Sequence, residues 1–151
     1  MKKFTLLVML FISVVSFAQL KKVETVKSVE IGKVGPWGMP KTIDCKKAGN
    51  TYTFEYKDYV YPDIDAYKTF SFEDIDNTFE ELYKVFVEGF NTIPEEAVTL
   101  ELPDYLLSLK FSKAMGTKSV VIYTTPINSG VVGHTAVLSP KQIDKLFGKK
   151  N

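Results

Sequence analysis

The sequence predicts an α+β protein: an antiparallel β-sheet built from hairpins, one long amphipathic helix packed on a face of it, and a short C-terminal helix. Three observations predict this. Runs of two-residue alternation fall into two groups bounded by turn residues. One strong stripe of helical period lies between the groups. The regular alternation of strand and helix that builds a parallel sheet is missing.

The elements follow in order. Residues 23–34 alternate loosely, with Val23, Val29 and Ile31 as apolar marks, and read as a strand. Gly35, Pro36, Trp37, Gly38, Met39 and Pro40 break regular structure and form a loop. Ile43, Cys45 and Lys47 alternate with Thr42, Asp44 and Lys46, so Cys45 shares the apolar face with Ile43. Gly49 and Asn50 supply a turn tolerant of positive φ, after which Tyr52, Phe54 and Tyr56 mark the return strand. Pro62 cannot donate to a ladder, so at least residues 59–64 leave the sheet as a loop before a further strand over 67–72.

The helix is carried by Ile75, Phe79, Leu82, Phe86 and Phe90, widened by Tyr83 and Val87. Asp74, Asp76 and Asn77 suit its start, and Gly89 or Asn91 its end. Beyond Pro94, Val98, Leu100 and Leu102 mark a strand, and Pro103 and Asp104 turn it into 105–111. Met115 and Gly116 lead into the β-branched run 119–125, and residues 126–130 turn it into a last strand over 131–138. Ser139 as N-cap, Pro140 at N1 and Gln142 at N3 open the short helix, docked by Ile143, Leu146 and Phe147 and stopped by Gly148.

The N-terminus has a different purpose. Lys2 and Lys3 precede an apolar run, 4–17, interrupted only by Thr5, Ser13 and Ser16; Ser16 and Ala18 place small residues three before and one before a cleavage point. This is a cleavable signal peptide over 1–18, leaving 19–151 as a single α+β domain in the periplasm or outside the cell. The run is shorter than the roughly 20 apolar residues that span a bilayer, so no membrane span is expected after processing. Gln19, not cysteine, follows Ala18, so lipid attachment is not indicated.

Composition narrows the chemistry. All 19 basic residues are lysine, and arginine, the preferred reader of phosphate and guanine, is absent. With a near-neutral net charge, nucleic-acid binding is not expected. The charge is uneven: residues 55–104 hold fourteen acids against three lysines, whereas residues 105–151 hold seven lysines and only Asp144. Acids and lysines facing each other across elements account for this, and an acidic face for a cation or basic partner is the functional alternative.

Three candidate sites emerge. Tyr59 and Tyr61, with Tyr56 and Tyr67, interleave with Asp58, Asp63 and Asp65, and Trp37 can join them. Aromatic faces beside carboxylates suit a lysine-rich protein, a cation or a glycan, in that order. The single cysteine and single histidine, Cys45 and His134, form the second: a thiol hydrolase acting on cell-wall peptide would need both as nucleophile and base. The residues after Cys45 read as a hairpin rather than the helix such a nucleophile usually opens. The third is the oxygen-rich set Asp63, Asp65, Glu73, Asp74 and Asp76, which lacks the spacing and loop glycine of a calcium-binding EF-hand. No metal or cofactor is therefore assigned. The usual hydrolase, protease and phosphate-loop motifs are absent. The expectation is a binding or interaction module, inhibitory or protective toward another exported protein, with an unknown protein or glycan as partner.

Overall fold

The computed structural model describes residues 26–36 and 38–149; the expected signal peptide and Trp37 lie outside the described residues. The fold is α+β. Strands β1 (Ser28–Val34), β2 (Ile43–Ala48), β3 (Thr51–Lys57) and β4 (Tyr67–Glu73) form one antiparallel sheet in sequence order. Helix α1 (Thr78–Thr92) follows. Strands β5 (Val98–Glu101), β6 (Tyr105–Ala114), β7 (Thr117–Pro126) and β8 (Gly133–His134) form a second sheet, again in order, and helix α2 (Pro140–Leu146) is the last described element. The two groups of strands legible in the sequence are thus two separate sheets. Four strands and a helix occur twice.

The register decides which side chains meet. Ile43 pairs with Tyr56, Cys45 with Phe54 and Lys47 with Tyr52, and Phe54 and Tyr52 pair onward with Phe70 and Phe72. This face is the buried one. In the second sheet Leu107, Leu109 and Phe111, with Val120, Ile122 and Thr124 opposite, form the buried face. The two faces meet: the Tyr56 hydroxyl bonds the Thr124 hydroxyl, and the Phe70 ring stands edge-on to Tyr105, 6.4 Å away.

Both helices join this core. Helix α1 buries Phe79, Leu82, Phe86, Gly89 and Phe90. Phe79 stacks on Tyr52 of the first sheet at 3.9 Å, while Phe90 meets Phe111 of the second at 5.3 Å. Gly89, read from sequence as a stop, is a packing residue: a Cβ there would lie 2.1 Å from the Phe111 ring. The helix instead runs to Thr92, and Ile93 ends it in the left-handed region. Its start is also later than the stripe implies. Asp76 and Asn77 both take positive φ, leaving Ile75 exposed, and Asp74 caps the helix by accepting the Phe79 N–H at 3.0 Å.

Helix α2 begins as its sequence requires, with the Ser139 N–H donating to Gln142 Oε1 at 2.8 Å. It packs against β1 at Gly32, where a Cβ would fall 2.0 Å from the Lys145 carbonyl oxygen. Phe147, just past the helix, touches Phe54, Phe79, Tyr83 and Phe86.

Two strands differ from their sequence signals. A register shift between Glu30 and Gly32 in β1 sets Gly32 opposite Cys45 and Val34 opposite Ile43, so both are buried, while Val29, opposite Lys47, is exposed. The run 131–138 is strand only at Gly133 and His134, with one further bridge from Leu138 to Val120. Between them the Thr135 hydroxyl takes the Ile122 N–H, a side chain standing in for the ladder. Val131, Val132 and Val137 are left exposed.

Candidate functional site

The loop between β3 and β4 leaves the sheet as Pro62 requires, and its conformation is fixed from below. Asp58, at the end of β3, is 1% exposed. Its carboxylate accepts the Lys68 ammonium at 2.9 Å, the Val60 N–H at 3.1 Å and the His134 N–H at 3.2 Å. Burial opposes the charge, but the ammonium and the two N–H groups outweigh it and hold the Asp58 carboxyl below its usual range. Backbone bonds add to the lock: the Asp58 N–H donates to the Ala66 carbonyl, and the Tyr59 N–H to the His134 carbonyl. Lys68 also donates to the Val132 carbonyl. The loop of the first sheet is therefore bonded to residues 132–134 of the second. Gly133 sits in this seam because a Cβ there would lie 2.5 Å from the Tyr56 hydroxyl.

On this base the loop turns Val60, Tyr61 and Ile64 to solvent, at 41, 59 and 61% exposure. Val131 and Val132, on the neighbouring segment, are exposed as well. Asp63 is exposed, and Asp65 pairs with Lys57 at 2.9 Å. Tyr59 is half-buried. It lines a cleft of about 290 Å³ together with Pro36, Met39 and Pro40, rimmed by Lys57 and Asp65. The Pro- and Gly-rich loop thus does lie beside Tyr59 and Asp65, although Trp37 itself is outside the described residues. The cleft is slightly smaller than the roughly 300–1,000 Å³ of small-molecule sites. It suits one inserted side chain.

Of the tyrosines grouped by sequence, Tyr56 is core, and Tyr67 is exposed and donates to the Lys41 carbonyl. Burial pushes the Tyr56 hydroxyl up to about 12, so it stays protonated.

Cys45 and His134 are not brought together. Cys45 is fully buried in the first sheet, and burial followed by the nearby Asp44 charge pushes its thiol up to about 12. His134 is on β8 of the second sheet, with its ring 5.3 Å from that of Tyr123 and Nδ1 3.0 Å from the Thr135 carbonyl. A nucleophile needs thiolate and access; Cys45 has neither. The acidic set is divided by β4, with Asp63 and Asp65 before it and Glu73 at its far end followed by Asp74 and Asp76, about 25 Å apart along an extended chain. Among the described residues no three His, Cys, Asp or Glu side chains gather as a metal site, and no helix is long and apolar enough to cross a membrane.

The sequence reading placed Asp58 among the contact carboxylates rather than beneath the loop, and did not single out Lys68 or Gly133. An aspartate at the end of an alternating run, able to accept the N–H two residues on, is the signal of a side-chain turn that identifies Asp58. Lys68 and Gly133 become partners only once the two sheets meet. No family model, curated protein or solved structure matches the chain.

Proposed function

We propose that the chain acts outside the cytoplasm as a binding module that holds a protein partner on the loop at 59–65, inhibiting or protecting that partner, and not as an enzyme. The observation that carries this reading is a loop locked by a buried carboxylate yet presenting Val60, Tyr61 and Ile64 to solvent. Ordering a loop costs conformational entropy, and these apolar side chains give no core burial in return. A preformed aromatic and aliphatic surface lowers the cost of binding. The pattern at residues 1–18 supports export.

The charges refine the partner. Lys57 answers Asp65 and Lys68 answers Asp58, leaving Asp63 as the loop's unpaired exposed acid among the described residues. A partner segment with an apolar side chain next to a lysine fits better than a free cation. A glycan stacked on Tyr61 is the competing ligand. A photocrosslinking residue in place of Tyr61, in the native host, is expected to trap a discrete protein adduct. Tyr61→Ala with Asp63→Ala should weaken that capture without altering the circular dichroism spectrum. Labelling of glycan alone, or no adduct, refutes the protein reading.

A further inference from the structure

The hairpin of β6 and β7 breaks three folding rules at one place. It extends past the core: β5 accompanies β6 only as far as Leu109, and β8 and the Leu138 bridge accompany β7 only back to Val120. Residues 112–119 therefore form a two-stranded arm, and such a ribbon is marginal by itself. Lys113 stands directly opposite Lys118, and like charges in that position repel. Neither joins an ion pair among the described residues. At the tip, Met115 and Gly116 have φ of 49° and 80°, the left-handed pair of a type I′ turn. Such turns favour Asn or Gly first. Here a methionine takes the strained position and is 105% exposed.

Lysines guard bare strand edges against unwanted pairing, which accounts for Lys113 and Lys118 but leaves Met115 without a role. We propose that this arm docks on an anionic lipid surface, with the Met115 side chain entering the interface and Lys113 and Lys118 meeting the headgroup phosphates. Charge supports this occupant: from Tyr105 to Ile143 there is no acid, while Lys110, Lys113, Lys118 and Lys141 are all basic. Spacing does so too. The lysines stand two or three residues behind the tip, about 7–10 Å of extended chain, which matches the roughly 5–10 Å depth of interfacial insertion. Met115 stands on a convex turn, where a protein-binding anchor would fill a pocket. This surface is separate from the loop at 59–65.

The test uses the full chain, every variant carrying the same N-terminus. Cys45 is buried, so Met115→Cys takes an environment-sensitive dye at one place, with Val29→Cys on β1 as control. The dye at 115 is expected to shift to the blue on vesicles of phosphatidylcholine mixed with phosphatidylglycerol, and not on phosphatidylcholine alone. The dye at 29 should shift on neither. Lys113→Ala and Lys118→Ala should each weaken vesicle binding about fivefold, and Met115→Asn should abolish it while remaining folded. No shift at 115, an equal shift on both vesicles, binding indifferent to the lysine variants, or tighter capture by polyglutamate than by vesicles overturns the proposal.

Discussion

Removing the Asp58 carboxylate tests whether it holds the two sheets together at the binding loop. In Asp58→Ala the Val60 and His134 N–H groups lose their acceptor and Lys68 loses its counter-ion. Breaking a buried pair from one side costs about 3–5 kcal/mol. Lys68 is 32% exposed and can turn to water, which favours the lower end, about 3 kcal/mol. Asp58→Asn keeps one acceptor oxygen and should cost about 1–2 kcal/mol, the loss of the charge-assisted part. Urea unfolding followed by circular dichroism reads both. Because the carboxyl is held below its usual range in the fold, its contribution is fully present above the unfolded value near 3.9 and is lost as pH falls through the lower folded value. Acid titration should therefore destabilise the parent chain below about pH 4 more steeply than Asp58→Asn. A cost under about 1 kcal/mol for Asp58→Ala, less than one stranded buried donor, would refute the assignment.

Other outcomes follow from single contacts. Gly89→Ala drives a methyl into the Phe111 ring, and overpacking of that kind should cost about 1–3 kcal/mol by urea unfolding. Cys45, buried with its thiol pushed up to about 12, should resist thiol reagents at neutral pH until urea unfolds the chain. Met115→Asn relieves the left-handed strain at the hairpin tip and should raise stability by about 1 kcal/mol, seen as a higher melting temperature. Mass spectrometry of the protein from its native host should find the N-terminus at or near Gln19.

What was legible in the sequence was whatever is decided locally. The period-2 runs around Tyr52 and Leu107, the turn at Gly49, and the capping residues Ser139 and Gln142 each act through neighbours in the chain. The loop at 59–64 was legible for the same reason, since Pro62 alone excludes a ladder. The failures came where a distant residue decides. Gly89 reads as a helix stop until Phe111 is seen above it, and residues 135–137 read as strand until the Thr135 side chain takes the Ile122 amide. The order of four strands and a helix, twice over, could be read, but the division into two sheets could not, because alternation marks a strand and not its partner. In the site, Tyr59, Tyr61 and Asp63 stand on the loop as read, but the seam beneath it, Asp58 with Lys68 and Gly133, depends on the meeting of two sheets.

The same geometry makes the two proposed surfaces compatible. Strand β7 begins beside the Met115 turn and reaches the seam at Thr124, which pairs with Gly133. Seven residues of extended strand separate Thr117 from Thr124, about 23 Å. An arm resting on lipid would therefore hold the loop at 59–65 at the far end of the same strand, away from the surface and open to a partner. The charge pattern fits that polarity. Several acids of the middle segment are answered within the fold, Glu55 by Lys41 and Glu80 by Lys149, both lysines lying outside that segment. Lys113 and Lys118 of the arm have no such partner among the described residues, which leaves them free to meet an anionic surface.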